Sequence, residues 1–132
     1  MARTPAELID LMQRQRGGRN EPAFAWLAKM DPEYMEALNR LAVQALSLHG
    51  DGSPDNSVLT SKVKGFVQLG ILAAQRDFAT MPKALGRLMD DGATDREILE
   101  VFQLAGTISG MVALRVSTET FLEAKKKRGQ PV

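Results

Sequence analysis

The chain has 132 residues, a formal net charge of +1 at pH 7, 25% charged and 5% aromatic residues, and no cysteine. That length admits one domain with a real core and not two, and a near-neutral, aromatic-poor chain points away from nucleic acid and from an anionic membrane surface. The missing cysteine excludes disulfides, thiolate metal sites and thiol chemistry, and it suits a reducing cytoplasm.

The N-terminus, MARTPAELIDLMQRQ, lacks the apolar core of a signal peptide, and no apolar run approaches the roughly 20 residues that span a bilayer. The expectation is a soluble, cytoplasmic protein with no membrane partner. Thr4-Pro5-Ala6-Glu7 spells a capping box with proline in the first turn, ahead of Leu8, Ile9, Leu11 and Met12. Arg14, Arg16, Gly17, Gly18 and Arg19 read as a solvated helix end and a flexible connection rather than a phosphate site. A short helix over about 21–29 carries Phe24, Trp26, Leu27 and Met30, with Trp26 in a core or a subunit contact. Burial of Met12, Trp26 and Met30 between subunits is expected, because a thin helical layer has few other places for them.

Asp31-Pro32-Glu33 starts a longer helix whose inner face is Tyr34, Leu38, Leu41, Ala42, Ala45, Leu46 and Leu48, closed by His49-Gly50. The breaker-rich stretch 50–57 is a loop; its Asp51 and Asp55 lack EF-hand spacing and the final glutamate, so no metal is assigned.

The chain is organised around 59–110. In LTSKVKGFVQLGILAAQRDF, Val63, Phe66, Val67, Gly70, Ile71 and Ala74 follow helical spacing while Leu69, Leu72 and Ala73 widen the stripe, so this helix is covered on most sides. Thr60 is its N-cap, and it runs out at Gln75, Arg76 and Asp77. MPKALGRLMDD is a second, short helix with Pro82 in the first turn and Gly92 just past its end. Thr94-Asp95-Arg96-Glu97 is another capping box, ahead of Ile98, Val101, Phe102 and Ala105. Gly106 and Gly110 allow either a close backbone approach or a bend before a last helix, Val112 to about Lys126. The end, KKKRGQPV, reads as a solvated basic tail. No stretch shows strand alternation with hairpin signals, so the fold class is all-α, a single-domain bundle of about six to seven helices.

LTSKVKGFVQLGILAA followed by ALGRLMDDGATDREILEVFQLAGTISGMVALR resembles the core of the carboxymuconolactone decarboxylase family, which includes the alkylhydroperoxidase D-like proteins. Gly92-Ala93-Thr94 with Glu97-Ile98-Leu99-Glu100-Val101 is the sharpest portion, and MDPEYMEALNRLAVQAL looks like the helix that precedes that core. The resemblance divides the chain into an N-terminal helical extension (1–29), a family core (30–122) and a basic tail (123–132). It implies an all-helical subunit that usually assembles into trimers or hexamers; no cofactor is expected. The redox branch of the family has a Glu, a Cys-x-x-Cys pair and a His that fall on Gly65, Asp77, Thr80 and Ala84 here, and none matches. Thiol peroxidase activity needs a thiolate and a resolving thiol, so it is excluded. The decarboxylase branch keeps the His as its proton carrier, and Ala84 stands there too.

The polar residues left at the implied pocket positions are the candidate site. Gln68, Leu72 and Arg76 continue one helix face beyond Gly65, Asp77 and Thr80 replace the cysteines, and Ser109 and Arg115 flank the glycine turn. An arginine beside an apolar cavity can anchor a carboxylate, and a desolvated Asp77 can act as a base. His49, the only histidine, is the other proton carrier, if it reaches a neighbouring subunit's pocket instead of capping its own helix. The alternative is that Arg76 and Asp77 end a helix in solvent, Thr80 caps the next, and Arg115 pairs on the surface. Two functions therefore stand. One is a non-redox, lyase-like enzyme that moves a proton on a small organic acid or lactone, with Arg76 or Arg115 holding the carboxylate and Asp77 or His49 carrying the proton. The other is a non-catalytic oligomeric scaffold or small-molecule-binding module on the same fold. The polar residues at the pocket favour the enzyme; Gly65, unless it makes room for a bulkier ligand, argues against it.

Overall fold

The computed structural model describes residues 3–16, 22–46 and 57–132, so His49, Asp51 and Asp55 lie outside the described residues. Every regular element among them is an α-helix, seven in all: α1 (Pro5–Arg16), α2 (Pro22–Met30), α3 (Pro32–Leu46), α4 (Ser61–Gln75), α5 (Met81–Asp90), α6 (Asp95–Ser109) and α7 (Met111–Lys127). They pack as two units, Met1–Val58 and Leu59–Val132.

In the first unit each helix begins on proline, whose fixed φ suits a first turn and whose missing N–H costs nothing there. The Thr4 capping box forms, with Thr4 N donating to Glu7 Oε2 at 2.8 Å and Glu7 N to Thr4 Oγ1 at 3.2 Å. The donated N–H holds the Glu7 carboxyl below its ordinary range. Asp31 separates α2 from α3 alone, and its Oδ1 accepts from Tyr34 N at 3.0 Å. Leu8, Met12, Ala28 and Met35 form the core, with Ile9, Phe24, Leu27 and Leu38 packed on it. Trp26 and Met30 are not part of it; both are exposed. The inner face of α3 also differs from expectation. Met35, Asn39 and Val43 are buried while Tyr34 and Leu41 are exposed. Helix α3 carries two apolar stripes about a third of a turn apart, and spacing alone does not choose between them.

In the second unit α4, α5, α7 and α6 pack around a ring, with a further contact across it between α4 and α7. Local chemistry sets the helix ends as expected. Thr60 accepts from Val63 N at 3.2 Å. The Thr94–Glu97 capping box closes both ways, at 2.9 and 3.1 Å. That backbone hydrogen bond, then the Lys62 ammonium 3.1 Å away, holds the Glu97 carboxyl below its usual range. The core is built from Leu69, Leu72 and Ala73 of α4, Met81, Ala84, Leu85 and Leu88 of α5, and Ile98, Phe102, Ala105 and Phe121 of α6 and α7. Phe102 and Phe121 meet edge to face, their centroids 6.3 Å apart.

Two expectations are corrected in this unit. The stripe that looked like the main inner face of α4 is largely outside: Val63, Val67 and Ile71 are exposed, and the buried side is the one that seemed only to widen it. The basic end is not a solvated tail either. Helix α7 continues to Lys127, and Lys125 is only 6% exposed, with its ammonium on the Asp95 carboxylate and 5.6 Å from the Phe121 ring centroid. Arg128 pairs with Asp90 and reaches the Gly86 carbonyl at 3.4 Å. Both basic groups tie the end of α7 to the helices beside it, because their stems cover apolar surface while their charges find carboxylates.

Candidate functional site

The implied pocket begins at Gly65, on the side of α4 that meets α5. A Cβ built there would lie 2.6 Å from Leu88 Cδ2 and 2.9 Å from Leu88 Cγ. Leu88 is fully buried and Ala84 nearly so. The absent side chain at 65 therefore leaves no room for a bulkier ligand, since Leu88 occupies the space. Hydrocarbon stands where the family resemblance implies a carboxylate and an imidazole.

Arg76, Asp77 and Thr80 lie at the α4–α5 connection, and backbone hydrogen bonding explains all three. Asp77 N donates to Leu72 O at 2.9 Å and Arg76 N to Ala73 O at 3.1 Å, the paired closure that ends a helix on one left-handed residue. The same closure recurs at Gly92 and Gly129, where φ is +82° and +67°. At the end of α4 the left-handed residue is Arg76, φ +58°, the one non-glycine residue of positive φ among those described. Asp77 then caps the turn into α5: its Oδ1 accepts from Thr80 N at 3.2 Å and its Oδ2 from Thr80 Oγ1 at 2.9 Å. The Thr80 side chain itself makes no cap bond to α5. Because an L side chain in the left-handed region costs roughly 1 kcal/mol that glycine avoids, Arg76→Gly is expected to raise the melting temperature by a few degrees. A fall in the melting curve of that variant would mean that the Arg76 side chain makes a stabilising contact.

The other candidates lie elsewhere on α4, α6 and α7. Half-buried Gln68 accepts from the Arg87 guanidinium of α5 through Oε1. Leu72 lies in the core. Ser109 is the half-buried last residue of α6. Exposed Arg115 reaches Glu119 one turn along α7, at 3.1 Å. Among the described candidates only Asp77 and Thr80 bond to each other, and they do so within the turn between α4 and α5. Among the described residues no group of three His, Asp or Glu side chains is placed to hold a metal, and no helix is long and apolar enough to cross a membrane.

The residues missed at the sequence level are apolar. Val63, Val67 and Ile71 on α4, and Leu104 and Ile108 on α6, which packs against it, are exposed by 41 to 77%. Gly70 and Val101 form the seam between the two helices, with 3.7 Å from a Cβ built on Gly70 to Val101 Cγ1. The periodicity of α4 was legible; that half of its apolar surface stays outside was not. No family model, curated protein or solved structure matches this chain.

Proposed function

We propose that this chain is a non-catalytic helical scaffold, a divergent relative of the carboxymuconolactone decarboxylase-like proteins, which self-associates through the α4–α6 face. The face is the observation that carries this reading. With side chains of this size, its exposed area is on the order of several hundred Å², at the top of what a monomer shows in one patch (roughly 300–600 Å²) and near the ~800 Å² each partner gives to a standard interface. Its centre carries no charge. Lys64 lies beyond its α4 edge and Glu100 beyond its α6 edge, so a twofold axis along the helices would set α4 of one copy over α6 of the other and bring these opposite charges together. Leu88 in the place of the implied pocket, and a cap in the place of its polar groups, support the scaffold over proton transfer.

Sedimentation velocity of the purified chain tests the assembly. Wild type is expected to sediment as an oligomer at micromolar concentration, and Ile108→Glu as a monomer with its helical circular dichroism intact. A monomeric wild type, or an Ile108→Glu oligomer of unchanged size, would refute self-association through this face. Thermal shift with carboxylated lactones tests the other half. A compound that raises the melting temperature of wild type but not of Arg76→Ala would restore the enzyme reading.

A further inference from the structure

On the opposite edge of the second unit, α5 and α7 leave an open groove of about 500 Å³. Its floor is apolar, with Gly86 and Met89 on α5 facing Val116 and Ala124 on α7. It is open because a small residue stands on each wall. A Cβ built at Gly86 finds its nearest neighbour, Arg128 Nη1, only at 3.8 Å. The charges on the rim are separated by sign along α7: Glu119 and Glu123 stand toward its start, Lys127 and Arg128 at its end. Glu119 and Arg128 have partners in Arg115 and Asp90, whereas Glu123 and Lys127 are in no ion pair among the described residues.

We propose that this groove receives an amphipathic helix of a partner protein, running antiparallel to α7. The volume admits about three or four side chains of Leu size, the number that an i, i+4, i+7 helix face presents. The charge order fixes the direction. A helix ordinarily carries acidic residues in its first turn and basic residues in its last, in keeping with its dipole. Laid antiparallel to α7, its acidic start meets Lys127 and Arg128 and its basic end meets Glu119 and Glu123. Laid parallel, both ends meet like charge. From Val116 to Lys127 the groove is roughly 16 Å long, about three helical turns, so the recognised segment is short.

The test uses the full chain and two synthetic helical peptides, read by fluorescence anisotropy at low salt. Both carry Leu at i, i+4 and i+7; one has an acidic first turn and a basic last turn, and the other has these charges exchanged. The first is expected to bind with micromolar Kd and the second at least about tenfold more weakly. Gly86→Leu fills the groove with a better helix former, so it should abolish binding while the melting temperature holds or rises. The pair Glu123→Lys with Lys127→Glu should transfer the preference to the exchanged peptide. Equal binding of the two peptides, binding that survives Gly86→Leu, or no binding at millimolar peptide would each overturn the proposal. So would saturable binding of dodecanoate, lost in Gly86→Leu, with neither peptide bound, which would assign the groove to an aliphatic carboxylate. Because Gly86, Glu123 and Lys127 lie away from the α4–α6 face, sedimentation and peptide binding fail independently.

Discussion

Gly106→Val should be among the most destabilising single substitutions in the chain, lowering stability by about 3 kcal/mol, the upper end of the overpacking range. A glycine inside a helix usually invites improvement, since Ala in its place gains roughly 1 kcal/mol. Here the sign reverses. A Cβ at 106 would sit 2.7 Å from Leu114 Cβ and 3.6 Å from Leu114 Cα. Those atoms belong to the body of α7 and cannot rotate away, so α6 and α7 would have to separate. Gly106 is buried, and separation would open the core around Phe102 and Phe121. For a unit of this size a loss of about 3 kcal/mol lowers the melting temperature by more than about 10 °C, which calorimetry would read directly. A Gly106→Val melting temperature within a degree or two of wild type would mean that the helices are not in close approach there. Gly110 has the other task foreseen for this pair: with φ +102° and no atom within 4 Å of a built Cβ, it makes the bend.

Returning to position 65 the carboxylate that the family resemblance implies is expected to fail unless Leu88 is also removed. Gly65→Glu places a side chain against Leu88 Cδ2 at 2.6 Å, and crowding of that kind costs about 2–3 kcal/mol. Leu88→Ala alone costs about 2–5 kcal/mol through the cavity it leaves. The combined variant should lose less than the sum by at least about 1 kcal/mol, because each change relieves the defect of the other. Urea denaturation of the four proteins gives the coupling. Additivity to within about 0.5 kcal/mol would show that Leu88 does not occupy the site. If the coupling is present, the double variant is also the form of this chain in which a lactone could find a cavity.

Much of the helical arrangement was legible because it is written locally. Thr4 with Glu7, Asp31, Thr60, and Thr94 with Glu97 each satisfy backbone donors within three residues, so the residue types alone predict their hydrogen bonds. The end of α4 was less so. A glycine signals a left-handed position, as at Gly92, but an arginine does not, and only the backbone shows that Arg76 takes it. The candidate site was read by position in a resemblance. Position alone could not show that the Asp77 carboxylate accepts from Thr80 to hold the turn into α5.

The sequence by itself determined the all-helical class, most of the helix starts and the absence of thiol chemistry, since each follows from the residues within a turn or from composition. The tertiary structure alone decided which of two apolar stripes on α3 and on α4 turns inward, that Leu88 fills the place beside Gly65, and that Lys125 and Arg128 belong to the fold. Those outcomes depend on residues distant in sequence arriving at the same place. Periodicity records that a helix has an apolar side, but what lies against that side is a property of its neighbours.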